Sequence, residues 1–60
     1  MTKCREKLID RMIAIYGFEH PIVIEFARLC ESWASTEWND KVLTIMVGAH
    51  EAEPYLEKED

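Results

Sequence analysis

Apolar residues recur along the first segment of the chain, residues 3–16, at the three- and four-residue spacing of an α-helix. The segment contains no Gly or Pro, and Thr2 stands where an N-cap residue would accept a free main-chain donor. The apolar side chains cover an arc of about 180° on a helical wheel. They are Cys4, Leu8, Ile9, Met12, Ile13, Ile15 and Tyr16. Because one neighbouring helix cannot cover so wide an arc, we expect the first helix to contact two others.

The next residues form a short connection that favours an immediate return of the chain. Gly17 suits the position after a helix C-terminus, and Pro21 suits the first turn of a new helix. His20 precedes the proline, is disfavoured in the α region and is therefore expected to be the N-cap. A second helix over 21–34 would then pack antiparallel to the first. Its predicted face contains Ile22, Val23, Phe26, Ala27, Leu29, Cys30, Trp33 and Ala34.

A third helix is predicted over residues 37–52, with Ser35 and Thr36 available as caps. Gly48 weakens this helix, and Pro54 is expected to stop it and to begin a solvated tail over 54–60. The wheel assigns to its main apolar face Trp38, Val42, Ile45, Met46, Ala49 and Ala52. Leu43 and Val47, four positions apart, form a second stripe outside that face.

These elements predict an all-α fold, a small three-helix bundle with an N-terminal antiparallel helical hairpin, in a single domain over 1–60. A chain of 60 residues buries only about 60% of the surface of its unfolded state, so its stability alone is small and a partner surface is expected. Large or misplaced apolar residues are the candidates for that interface: Ile24, Trp33, Trp38, Leu43 and Val47. Alternatively, these residues lie in a three-helix core whose helices are rotated relative to the wheels.

Charge narrows the choice of partner. Twelve acidic residues oppose seven basic ones, which gives a net charge of −5. Nucleic-acid and anionic-membrane binding both need clustered Lys and Arg, so neither partner is expected. The first sixteen residues nevertheless carry a net charge of +2, and the rest of the chain is acidic. An acidic surface that mimics nucleic acid and inhibits an enzyme is one alternative function.

The sequence contains few residues that could form a catalytic site, a metal site or a disulfide. Cys4 and Cys30 lie on predicted apolar faces about a helical turn apart, which favours core packing over a disulfide. His20 and His50 belong to no metal-ligand pattern, and His50 lacks the second His of the H-E-x-x-H motif. We therefore predict no catalytic, cofactor-binding or metal-binding residue. Without an export signal, or the roughly 20 apolar residues of a membrane span, a cytoplasmic location is expected.

Two stretches resemble known proteins. The run Tyr-Gly-Phe-Glu-His-Pro-Ile-Val-Ile-Glu-Phe-Ala-Arg-Leu-Cys-Glu at 16–31, with Trp-Asn-Asp-Lys at 38–41, resembles short uncharacterised bacterial proteins of phages or mobile elements. That resemblance implies no activity. The layout of a helix, a Gly-x-x-His-Pro turn and a second helix is similar to the helical-hairpin aspartyl-phosphate phosphatases of sporulation control. Their signature Ser-Gln-x-x-x-Asp is replaced by the run from Phe26 to Glu31, so no catalytic residue is carried over.

The expected function is that of a small acidic, non-enzymatic protein-interaction or regulatory module. Its expected partner is another protein or a second copy of the chain, as in a homo-oligomer. The alternatives are a hairpin that acts on response-regulator aspartyl phosphates and an acidic nucleic-acid mimic or inhibitor.

Overall fold

Three helices account for the described part of the chain. A computed structural model describes the main chain of residues 2–56 and the side chains of residues 2–54; the predicted tail beyond residue 56 lies outside it. The helices are α1 (Lys3–Tyr16), α2 (Pro21–Ser32) and α3 (Glu37–Leu56). The predicted all-α fold is confirmed for these residues.

Helix α1 is the centre of the bundle. It packs against both α2 and α3, whereas α2 and α3 touch each other only sparsely. Arg5 at the start of α1 contacts the C-terminal end of α2, so these two helices form the predicted antiparallel hairpin. Arg5 also reaches Asp40 near the start of α3, and Tyr16 reaches Glu53 near its end, so α1 and α3 run parallel. The prediction that the first helix has two partners is confirmed.

Local capping signals fix where the helices begin. The Thr2 hydroxyl accepts a hydrogen bond from the Arg5 main-chain N–H (3.3 Å), and Nδ1 of His20 accepts one from Ile22 (3.1 Å). The Thr36 hydroxyl does the same for Asn39 at 3.1 Å. Each bond satisfies a donor that the first turn of a helix leaves without a main-chain partner. The predicted starts of all three helices are therefore correct.

The predicted ends are less accurate. Helix α2 ends at Ser32, two residues before the predicted 34, because Trp33 already has an extended main chain (ψ 138°). Helix α3 continues through Gly48 and Pro54 to Leu56, whereas a stop at Pro54 was predicted. A proline removes one main-chain donor, and here it does so in the last described turn of the helix.

The rotation of α3 differs from the prediction. Leu43 and Val47 have no exposed surface and belong to the core, while Trp38 and Ile45 are 73% and 71% exposed. Leu43 and Val47 are therefore not surface candidates for an interface. The core cluster consists of Leu8, Met12, Val23, Phe26, Cys30, Leu43 and Val47.

Two polar contacts of α3 agree with this rotation. Asp40 binds Arg5, and His50 lies against Tyr16, so both residues face α1. Residues 40, 43, 47 and 50 are separated by three, four and three positions, which places them on one side of a helix. The two polar contacts therefore lie on the same side of α3 as the buried Leu43 and Val47.

The two glycines are expected to respond to alanine in opposite directions. A Cβ at Gly48 would meet no atom within 4 Å, so Gly48→Ala should stabilise the fold by about 1 kcal/mol through helix propensity. Gly17 has φ +109°, so Gly17→Ala should cost about 1–3 kcal/mol in backbone strain. Urea unfolding followed by circular dichroism measures both, and a loss of stability in Gly48→Ala would contradict the open environment of that residue.

Candidate functional site

A buried arginine ties the three helices together at one end of the bundle. The side chain of Arg5 is only 2% exposed and donates from Nη1 to the carbonyl oxygens of Cys30 (2.6 Å) and Trp33 (2.8 Å). Its Nη2 donates to the Ala34 carbonyl (2.7 Å), and its Nε donates to Oδ1 of Asp40 (2.7 Å). Carbonyls at the end of a helix lack main-chain donors, and here the guanidinium supplies them for Cys30 and Trp33. This cluster is structural, because each guanidinium nitrogen donates at least one hydrogen bond and the side chain is buried.

The sequence reasoning missed Arg5 and misplaced Cys4. Arg5 stands three and seven positions before the buried Leu8 and Met12, so it shares their face of α1. Cys4, predicted on the apolar face, is exposed instead, because Arg5 takes the inward position. The helical spacing from Arg5 to Leu8 and Met12 indicates the buried face of α1. Charged residues are rarely buried, however, so the sequence pattern favours an exposed Arg5.

The two cysteines differ in environment. Both are free thiols, with Cys4 exposed and Cys30 buried. Burial raises the pKa of the Cys30 thiol above its ordinary value, which keeps it protonated and weakly nucleophilic. Cys30 therefore acts as a small apolar core residue, as the sequence predicted.

A second polar cluster lies at the opposite end, where α1 and α3 both end and α2 begins. The Tyr16 hydroxyl donates to Oε2 of Glu53 (3.2 Å) and lies 2.8 Å from Nδ1 of His50. Because a phenol has one proton, the Tyr16 hydroxyl donates to only one of these two groups at a time, and the donor in its contact with His50 depends on the imidazole tautomer. The Tyr16 ring also lies against His20, with ring centres 4.9 Å apart, and edge-on to His50 at 5.6 Å.

A partly open cavity of about 440 Å³ adjoins this cluster. Its walls combine apolar side chains with the polar groups of Tyr16, His50 and Glu53. The lining residues are Ile15, Tyr16, Ile22, His50, Glu53 and Pro54. The sequence placed His20 and His50 in no common site, because they are thirty residues apart and only the packing of α3 along α1 brings them to the same tyrosine.

An exposed ion pair links α1 and α3 between the two clusters. The guanidinium of Arg11 binds the Glu51 carboxylate through two hydrogen bonds. The bond lowers the pKa of the Glu51 carboxyl and raises that of Arg11. Its stabilisation is therefore present above the ordinary glutamate pKa and is lost as the pH falls through the lowered value. Because both side chains are exposed, the contribution is small.

The remaining candidate interface residues occupy different surfaces. Ile24 is 44% exposed on α2, and Trp33 is half-buried and packs against the core. Trp38 and Ile45 are exposed on α3, two helical turns apart. Beside Ile45 the surface has a shallow depression of about 390 Å³. Its lining residues are Cys4, Glu37, Asp40, Lys41, Thr44 and Ile45.

Two further features bear on function in the part of the chain that the structure describes. No group of three or more His, Cys, Asp or Glu side chains there is placed to hold a metal ion. No described helix has the length and apolar character that crossing a membrane requires. Of the stretch compared with the phosphatase signature, Phe26 lies in the core and Glu31 is exposed. Comparison with protein-family models, curated proteins and solved structures finds no match to this chain.

Proposed function

We propose that this protein is a small acidic, non-enzymatic interaction module that self-associates through the outer side of α3. The observation that carries the proposal is the exposure of two large apolar side chains, Trp38 (73%) and Ile45 (71%), on one helix. Contiguous exposed apolar surface marks interaction sites, and tryptophan is enriched among the residues that dominate binding energy.

The exposed apolar residues of α3 follow a regular repeat. We call outer seam the set Trp38, Val42, Ile45, Ala49 and Ala52, whose members are alternately four and three positions apart. Val42 is half-buried, and the other four are exposed. This is the spacing at which two helices pack side by side in a coiled coil. The core of the bundle uses Leu43 and Val47 instead, so the outer seam is available to a partner helix.

The composition of the seam favours a second copy of the chain as that partner. Large residues lie towards its N-terminal end and small ones, Ala49 and Ala52, towards its C-terminal end. In the antiparallel register that sets Ile45 of one α3 against Ala49 of the other, Val42 lies against Ala52. A two-fold axis thus brings large residues against small ones, which is the complementarity that close packing requires.

Sedimentation velocity over about 1 μM to 1 mM tests the proposal, because dissociation constants of this range correspond to small interfaces. The weight-average mass should rise from 7.1 kDa towards twice that value. Ile45→Lys should weaken association by about tenfold or more, since a buried ammonium would lack a partner. Ile24→Lys makes the same chemical change at an exposed position of α2 and should leave association nearly unchanged.

Three results would contradict the proposal. A constant mass of 7.1 kDa over the whole range would exclude self-association. Equal weakening by Ile24→Lys and Ile45→Lys would exclude the outer seam as the interface. Each copy carries a charge of −5, so added salt should strengthen an apolar dimer by screening repulsion. Association that weakens steeply with salt would instead indicate an electrostatic interface.

A further inference from the structure

We infer that the cavity beside Tyr16 is a binding site for a small organic ammonium ion, that is, a positively charged amine attached to a short alkyl or aromatic group. This site is separate from the outer seam of α3. It is built where the C-terminal halves of α1 and α3 meet the first turn of α2. Its volume of about 440 Å³ lies in the range of small-molecule sites.

The polar groups of the site favour a cation. The Glu53 carboxylate lies at the rim with its side chain 54% exposed, and its described contacts are the Tyr16 hydroxyl (3.2 Å) and, at 4.0 Å, His50. No Lys or Arg among the described side chains forms an ion pair with Glu53. The carboxylate can therefore accept hydrogen bonds from an ammonium group, and such charge-assisted bonds are stronger than neutral ones.

The helix directions add to this preference. Because α1 and α3 run parallel, both C-termini, with their partial negative charge, lie at this end of the bundle. Neither helix has a basic residue in its last turn. The N-terminus of α2 lies at the same end, and His20 caps it by accepting the Ile22 N–H. Two helix C-termini, which favour a cation, and one helix N-terminus, which disfavours it, thus lie at this end in addition to the carboxylate.

The apolar walls of the cavity favour a hydrocarbon group on the ligand. Ile15, Ile22 and Pro54 are apolar, and Tyr16 presents an aromatic ring. A hydrated metal ion or ammonia would leave these walls in contact with water, whereas a hydrocarbon group attached to the amine would cover them. Tyr16 is held in place by its contacts with His20, His50 and Glu53, so the site is largely formed before a ligand binds.

Titration with phenethylammonium chloride, followed by two-dimensional NMR of the full chain, tests the inference. We expect saturable binding with shift changes at residues around the cavity. The anion 3-phenylpropionate, of similar shape and opposite charge, should bind at least about tenfold more weakly. Glu53→Gln keeps the size of the side chain and should weaken phenethylammonium binding by about tenfold or more. Glu31→Gln, at an exposed position of α2, is the matched control and should change it by less than about twofold.

Several outcomes would overturn the inference. No saturation by about 10 mM phenethylammonium would show that no site for it exists. Equal affinity for the cation and the anion would indicate a nonspecific apolar cavity, and unchanged affinity in Glu53→Gln would exclude the carboxylate. The titration is repeated on Ile45→Lys, whose cavity is intact. Binding by this variant separates the ligand site from the self-association proposed above.

Discussion

Arg5→Ala should remove a large part of the free energy of unfolding. The substitution removes four hydrogen bonds and leaves the carbonyls of Cys30 and Trp33 and the carboxylate of Asp40 without the guanidinium donor. The Ala34 carbonyl keeps the Thr36 main-chain N–H and the Asn39 amide as donors. Removing one partner of a buried charged pair costs about 3–5 kcal/mol. A 60-residue domain has a total stability of only about 3–9 kcal/mol. Far-UV circular dichroism and urea unfolding measure the loss.

Arg11→Ala is the matched control, because it removes an arginine of the same helix that also links α1 to α3. Its partner Glu51 is exposed, so water replaces the lost contact and the effect should be far smaller than at Arg5. Arg5→Lys distinguishes charge from geometry. An ammonium cannot reach four acceptors in the plane of a guanidinium, so this variant should also be clearly destabilised. Equal stability of Arg5→Ala and Arg11→Ala would mean that the Arg5 cluster does not stabilise the fold.

The comparison of these two arginines shows which parts of the fold were predictable from the sequence. Helix starts were predicted correctly, because Thr2, His20 and Thr36 act on main-chain groups two or three residues away. Burial of Arg5 depends on carbonyls 25 to 29 residues away and on Asp40, 35 residues away. Such acceptors exist only after α2 and α3 are in place, so the local pattern does not reveal them.

The cavity and the outer seam also depend on how residues far apart in the sequence pack together. Tyr16, His20 and His50 belong to three different elements, and the parallel direction of α1 and α3 alone places His50 next to Tyr16. For α3, the sequence contains two apolar stripes, and the wheel favoured the longer one, which includes Trp38. Hydrophobicity does not decide between two such stripes. The contacts of Asp40 with Arg5 and of His50 with Tyr16 lie on the side of the shorter stripe, which is the one that faces inward.

Because the Leu43–Val47 stripe of α3 is the buried one, truncation of Leu43 has the second large expected effect on stability. Leu43→Ala should reduce the free energy of unfolding by about 3 kcal/mol, because Leu43 has no exposed surface and the truncation leaves a cavity between α1 and α3. Ile45→Ala removes a side chain that is 71% exposed and should change stability by less than about 0.5 kcal/mol. Urea unfolding at low micromolar concentration measures both in the monomer, so that association does not add to the Ile45 effect.

The two alanine variants also decide whether the outer seam can be an interface. A large loss at Leu43 with almost none at Ile45 places the core on the Leu43–Val47 stripe and leaves Ile45 available to a second copy. The reverse result would turn α3 so that Ile45 and Trp38 face α1, and the proposed dimer would lose its surface. Because the two side chains contain the same number of carbon atoms, the difference between the variants reports their environment rather than their size. An interface at Ile45 therefore requires that its truncation weaken association without weakening the fold.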